Sequence, residues 1–272
     1  ALTLAIFGGP LRIDRHRGGR SKDIRQALSR SETVKKVRAL HQRKQRDAQR
    51  CFLVQGRKMV AELLASTWQA EAIYATASAA AYLGGQQVIM PEHDLDRMGT
   101  FEHGNEAIAV VRMPDPAPFK DLNAHELVLA LDGVSDPGNL GTILRVADRF
   151  GVRRVLLGRG SVDVFNPKCV QASMGSILRV GTFEVDLPEA LGALQSSGSR
   201  VYRAEMNGKD VFTEALARPA VLVLGSESQG ISEAVRAVGG TPITIPQFGG
   251  AESLNVAMAA AALCMEFARR VH

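Results

Sequence analysis

Leu127-Val-Leu-Ala-Leu131 and Ala220-Val-Leu-Val-Leu224 are apolar at every position, and each runs straight into a loop of glycine and small polar residues. A strand wetted on one face alternates apolar with polar residues, whereas one that is apolar throughout is covered on both faces, as in a parallel sheet between helices. Parallel neighbours need crossover helices, and helical patterns stand at Leu140 to Phe150, Pro188 to Gln195, Ser232 to Val238 and Leu254 to Val271. Further strands are predicted at Arg154 to Leu157, Val180 to Phe183, Arg200 to Arg203 and Thr241 to Ile245. The second half therefore reads as α/β with a largely parallel sheet.

The first half carries shorter runs, Cys51 to Val54, Ala72 to Ala75, Gln87 to Met90 and Ala107 to Val111, between helical stretches such as Lys58 to Ala65. That alternation predicts a smaller α/β unit. Met113-Pro-Asp-Pro-Ala-Pro118 follows, and prolines at alternate positions stiffen the backbone into a spacer. The expected organisation is a basic extension over 1–30, a small α/β domain over 31–113, a linker over 114–123 and the larger domain over 124–272.

Positive charge is concentrated at one end of the chain. Residues 1–50 hold 14 Lys or Arg against 4 Asp or Glu, whereas the chain as a whole is only +5, so the remainder is mildly acidic. From Ser31 to Arg50, Val34, Val37, Leu40 and His41 recur at helical spacing among Lys35, Lys36, Arg38, Arg43, Lys44 and Arg46. This predicts one amphipathic basic helix. Its six cations are candidate RNA-binding residues, because a concentrated positive stripe is the footprint of a phosphate-backbone binder. A solvated helix face would show the same pattern.

Several classes are disfavoured. Cys51, Cys169 and Cys264 lie far apart without paired cysteine or histidine spacing, so no metal site and no disulfide framework is expected. The longest apolar stretch, around Val256 to Met265, is mostly Ala and too short for a membrane span. Gly225-Ser-Glu-Ser-Gln-Gly-Ile-Ser232 has phosphate-loop glycine spacing, but Ile231 stands where Lys is required. The expected location is the cytoplasm, or the mitochondrial matrix if the Arg-rich N-terminus is a transit remnant.

Three segments carry polar groups where apolar strands end. In Leu131-Asp-Gly-Val-Ser-Asp-Pro-Gly-Asn139-Leu-Gly141-Thr-Ile-Leu-Arg145, a helix is expected to start near Asn139, with Arg145 less than two turns along it. An Arg there suits a phosphate oxygen; an N-cap with a surface Arg is the plainer reading. In Leu224-Gly225-Ser-Glu227-Ser-Gln-Gly230, Gly225 would let a ligand approach backbone and Glu227 places one carboxylate in the loop; a tight turn with Ser232 capping the next helix fits equally. In Ile245-Pro-Gln-Phe-Gly-Gly-Ala-Glu-Ser253-Leu254-Asn255, polar groups stand at the mouth of a small-residue helix. Ser253 suits a cap there, and Asn255 suits one less well.

Taken together, Asn139-Leu-Gly141 with Arg145, Gly225-Ser-Glu227 with Gly230, and Ile245-Pro246 with Ser253-Leu-Asn255 resemble the three ordered motifs of the SpoU family of SPOUT-class ribose 2'-O-methyltransferases, over roughly residues 126–271. Phe52-Leu-Val-Gln-Gly56 and Ala107-Ile-Ala-Val-Val111 are similar to the ribosomal-protein-like substrate-binding domain that precedes the catalytic domain in many rRNA members. The resemblance implies a parallel α/β sheet with a C-terminal trefoil knot, a homodimer, and S-adenosyl-L-methionine held at Leu224, Gly225, Ile245 and Leu254. It also implies that Asn139, Arg145, Glu227, Ser253 and Asn255 form the catalytic set. Arg145 would engage the target phosphate and 2'-hydroxyl, with Asn139 and Ser253 holding both. The acceptor is expected in rRNA, with tRNA, or a non-catalytic RNA-binding protein that keeps the fold, as alternatives. Gln247-Phe-Gly-Gly250 is bulkier than the Met-x-Gly run common in the family, a departure that bears on target choice.

Overall fold

The computed structural model describes residues 19–101, 105–116, 118–119, 126–250 and 252–270, with side chains from residue 29 onward. It divides into two compact units at Pro114/Asp115. Of the expected basic extension, residues 1–18 lie outside the described residues and 19–30 belong to the first helix. Of the expected linker, residues 117 and 120–123 also lie outside them.

The first unit runs α1 (Gly19–Ala39), α2 (Arg43–Gln49), β1 (Cys51–Gln55), α3 (Arg57–Leu64), β2 (Ala70–Ala75), α4 (Ala77–Leu83), β3 (Val88–Ile89), α5 (Glu92–Met98) and β4 (Ala107–Arg112). Its sheet has the order β1-β4-β2-β3, with β4 antiparallel to both its neighbours and β3 parallel to β2. Val34, Val37 and Leu40 of the basic segment pack into its core with Leu53, Leu95, Met98 and Ile108. The single helix expected over Ser31 to Arg50 is broken at Leu40 to Gln42. Three successive i→i−3 backbone bonds end α1 there, and Arg46 fastens the corner by donating from Nη1 to the carbonyls of Leu40 (3.0 Å) and His41 (2.8 Å). A cation on the last carbonyls of a helix is both a hydrogen-bond donor and a favourable partner for its dipole.

The second unit comprises β5 (Leu127–Asp132), α6 (Pro137–Arg149), β6 (Arg154–Leu157), α7 (Pro167–Ala172), a 3₁₀ turn at Ser176–Leu178, β7 (Gly181–Glu184), α8 (Leu187–Ser196), β8 (Arg200–Asp210), β9 (Ala220–Gly225), α9 (Glu233–Ala237), β10 (Thr241–Thr244) and α10 (Val256–Arg269). The six strands are all parallel in the order β10-β8-β9-β5-β6-β7. β5 and β9, the two fully apolar runs, pair at the centre of the sheet, where residues 127–131 and 220–224 are buried on both faces. One face is covered by Leu187, Leu191 and Leu194 of α8 and Val235 of α9. On α6, Gly141 lets α7 come close, since a Cβ there would meet Cys169 O and the Ala172 methyl. The loops after β5 and β9 therefore emerge side by side at one end of the sheet, the end where α/β folds place ligands.

Candidate active site

The loop after β5 ends at Asp136, whose side chain accepts the backbone N–H of Asn139 at 2.8 Å and caps α6. The helix thus begins at Pro137, two residues before the expected start, and Asn139 is not its cap. Its side chain is free for other work: the amide nitrogen donates to Glu227 Oε1, and Oδ1 accepts from Asn255 Nδ2 at 3.0 Å. One side chain from each of the three motifs meets in this cluster.

The loop after β9 is closed on itself. Ser226 and Gly230 exchange both backbone hydrogen bonds, at 3.0 and 2.9 Å, and a Cβ on Gly225 would run into the backbone of Gly230 and Ile231. The glycine that was expected to make room for a ligand is required by the fold of its own loop. Ser232 caps α9 through Val235 N–H, as expected, and its backbone N–H donates to Asp132 Oδ2 at 2.7 Å, which ties this loop to the one after β5.

At the third segment the expected order of caps is reversed. Asn255, not Ser253, caps α10, accepting from the N–H groups of Ala257 (3.0 Å) and Met258 (3.4 Å). Asn255 can do this and still bond Asn139 because its amide presents an acceptor on one side and donors on the other. Ser253 lies exposed on the wall of a cavity of about 660 Å³, together with Leu224, Gly225, Glu227, Ile245, Leu254 and Asn255. Asn139 is hydrogen-bonded to two of the lining residues, Glu227 and Asn255. Arg145 is exposed on α6 and does not line the cavity.

The cavity has a wall that the sequence did not reveal. β8 continues past Arg203, where it was expected to stop, through Asp210. Gly208 permits this, since a Cβ there would strike the backbone of Ile243 in β10. The extension brings Glu205 to the cavity, where its carboxylate is held by Arg203 Nε at 2.7 Å and Arg236 Nε at 3.5 Å. A lone glycine inside a polar stretch was the only available signal of this close approach.

In the first unit, Lys35, Lys36, Arg38, Arg43 and Lys44 are exposed, and Arg43 sits 3.6 Å from Asp47. Arg46 is 2 % exposed and spends its guanidinium on carbonyls, so it is removed from the candidate RNA-binding set. Among the described residues no group of His, Cys, Asp or Glu could hold a metal ion, and no helix is long and apolar enough to cross a membrane.

Comparison with known proteins matches residues 126–265 to the model of the SpoU rRNA methylase family and residues 31–109 to an MRM3-like substrate binding domain. The chain is 31% identical over 240 residues to the 23S rRNA (guanosine(2553)-2'-O)-methyltransferase RlmP of Bacillus subtilis, covering 86% of this chain and 95% of that one. Among solved structures, the AdoMet complex of AviRb from Streptomyces viridochromogenes superposes with a TM-score of 0.78 at 26% identity, covering 88% of this chain and 97% of that one. An AdoMet-bound rRNA methyltransferase from Sinorhizobium meliloti gives 0.79 at 28% identity, covering 88% and 95%.

Proposed function

Since the chain belongs to the SpoU rRNA methylase family, we propose that it transfers the methyl group of S-adenosyl-L-methionine to a ribose 2'-hydroxyl of ribosomal RNA, in the compartment where ribosomes are made. The observation that carries this reading is the Asn139–Glu227–Asn255 cluster, in which segments 88 and 116 residues from Asn139 converge beside one cavity.

The cavity suits the cofactor. About 660 Å³ is within the range of small-molecule sites. The backbone of Gly225, Ile245 and Leu254 with the side chain of Leu224 would hold the cofactor, and the carboxylate of Glu227 suits a ligand that carries positive charge. When bound, S-adenosyl-L-methionine supplies a methyl group already activated by its sulfonium. What is left to the protein is to align the 2'-oxygen with that methyl group and to let the hydroxyl proton leave to solvent. Asn139 and Asn255 fix each other and so set the position of Glu227. Ser253 offers a hydroxyl from the cavity wall to the incoming nucleotide. Arg145, exposed on α6, supplies a planar donor fork for its phosphate; guanidinium stays protonated and is not an ordinary base.

Lys35, Lys36, Arg38, Arg43 and Lys44 would follow the RNA backbone. The second unit would carry the family's trefoil knot, a reading supported by β10 lying at the sheet edge beside β8 while α10 returns to pack on α6 and β9. A homodimer is supported by α10, where Met258 and Met265, seven residues apart, are 64% and 57% exposed on one side of the helix.

The test is transfer of radiolabelled methyl to 23S rRNA followed by alkaline hydrolysis. A methylated 2'-oxygen cannot attack the adjacent phosphate, so the label should be recovered in alkali-resistant dinucleotides. Label recovered in mononucleotides would assign base methylation and overturn the reading.

A further inference from the structure

Phe248 lies on the loop between β10 and α10 with 88% of its surface exposed, and it lines the same cavity as Glu227 and Asn255. Nothing in the loop pulls the ring inward. Gln247 donates from its side-chain amide to Gly249 O at 2.8 Å, closing a small turn with Phe248 at its tip. Gly249 and Gly250 have open space where side chains would stand. Two other cavity-lining apolar residues, Met206 and Leu254, are exposed by 61% and 52%. An isolated exposed apolar side chain is ordinary; a cluster on the rim of a site marks a binding surface.

We propose that Phe248 is an RNA-positioning residue whose ring stacks on an unpaired base of the RNA, at or next to the nucleotide that is methylated. The assignment rests on the function proposed above: a ribose presented to the cavity carries its base onto the surrounding rim. RNA is read mainly through bases lifted out of the helix and laid on aromatic side chains, and such stacking tolerates any base because each has a π-face.

The test compares the unaltered chain with Phe248→Ala and Phe248→Trp, using a 23S rRNA transcript and radiolabelled S-adenosyl-L-methionine. Cofactor affinity is measured by calorimetry and mass by light scattering. Phe248→Ala should lower kcat/KM for RNA by about tenfold or more, leave cofactor Kd within about twofold and leave the mass unchanged, while Phe248→Trp restores most of the loss. An Ala variant as active as an active wild type overturns the proposal. So does a loss confined to cofactor affinity, which would make the ring a cofactor cover, or a change of mass, which would place it against a second copy. A wild type that transfers no methyl to the transcript strikes the functional reading itself, and this one with it.

Discussion

Asn139 stands at the third position of α6 with its backbone N–H already satisfied by Asp136, which leaves both ends of its amide free to join Glu227 and Asn255. Replacing Asn139 with Ala should cut methyl transfer by roughly 100-fold, since small misplacements at a reacting centre are costly, with only a few-fold change in cofactor Kd; near-normal single-turnover rates would remove it from the site. For Arg145→Ala, transfer should be abolished with cofactor Kd nearly intact, as binding and activity assays on one preparation would show. Arg46 illustrates what residue type alone conceals. In sequence it is one more cation between Lys44 and Arg50, and only the corner at Leu40 to Gln42 turns it inward. Arg46→Ala should therefore cost about 2–4 kcal/mol in chemical denaturation, with two carbonyls losing a charged donor, whereas Lys44→Ala should cost almost nothing.

At the level of elements, apolar runs and turn residues were legible because they report local burial, and the expected strand at Arg154–Leu157 matches the observed one end for end. Contacts between distant elements were not. The reach of β8 depends on Gly208 meeting Ile243, and the caps of α6 and α10 fall to Asp136 and Asn255, while the Asn139 side chain bonds across the motifs. Helix α10 has its own acid-sensitive fastening. Glu266 is held down to about 2 chiefly by hydrogen bonds from Arg269, against the opposing effect of burial, with Arg270 adding to the lowering. Arg270 in turn donates to the carbonyls of Val211 (3.1 Å) and Phe212 (2.8 Å). A carboxylate whose folded pKa is depressed contributes stability above its ordinary value near 4.5, and this is lost as pH falls toward 2. Thermal melts from pH 6 down to 2.5 should show this loss in the wild type and a flatter profile in Glu266→Gln. Gly225→Ala should abolish cofactor binding by forcing open the Ser226–Gly230 loop, as calorimetry would register.

Over the whole molecule, the uneven charge seen in sequence gives the first unit an exposed row of cations at Lys35, Lys36, Arg38, Arg43 and Lys44. Reversing the charge at Lys35, Lys36 and Arg38 together should weaken RNA binding and reduce the slope of log K against log salt by about 2–3; an unchanged slope would exclude α1 from the interface. The Asn255–Asn139 bond, spanning 116 residues, has a further effect on timing. A growing polypeptide that has completed α6 still lacks both partners for that amide, so the cluster closes only once the start of α10 has been made. Fragments that stop short of α10 should be catalytically silent, however well their sheets form.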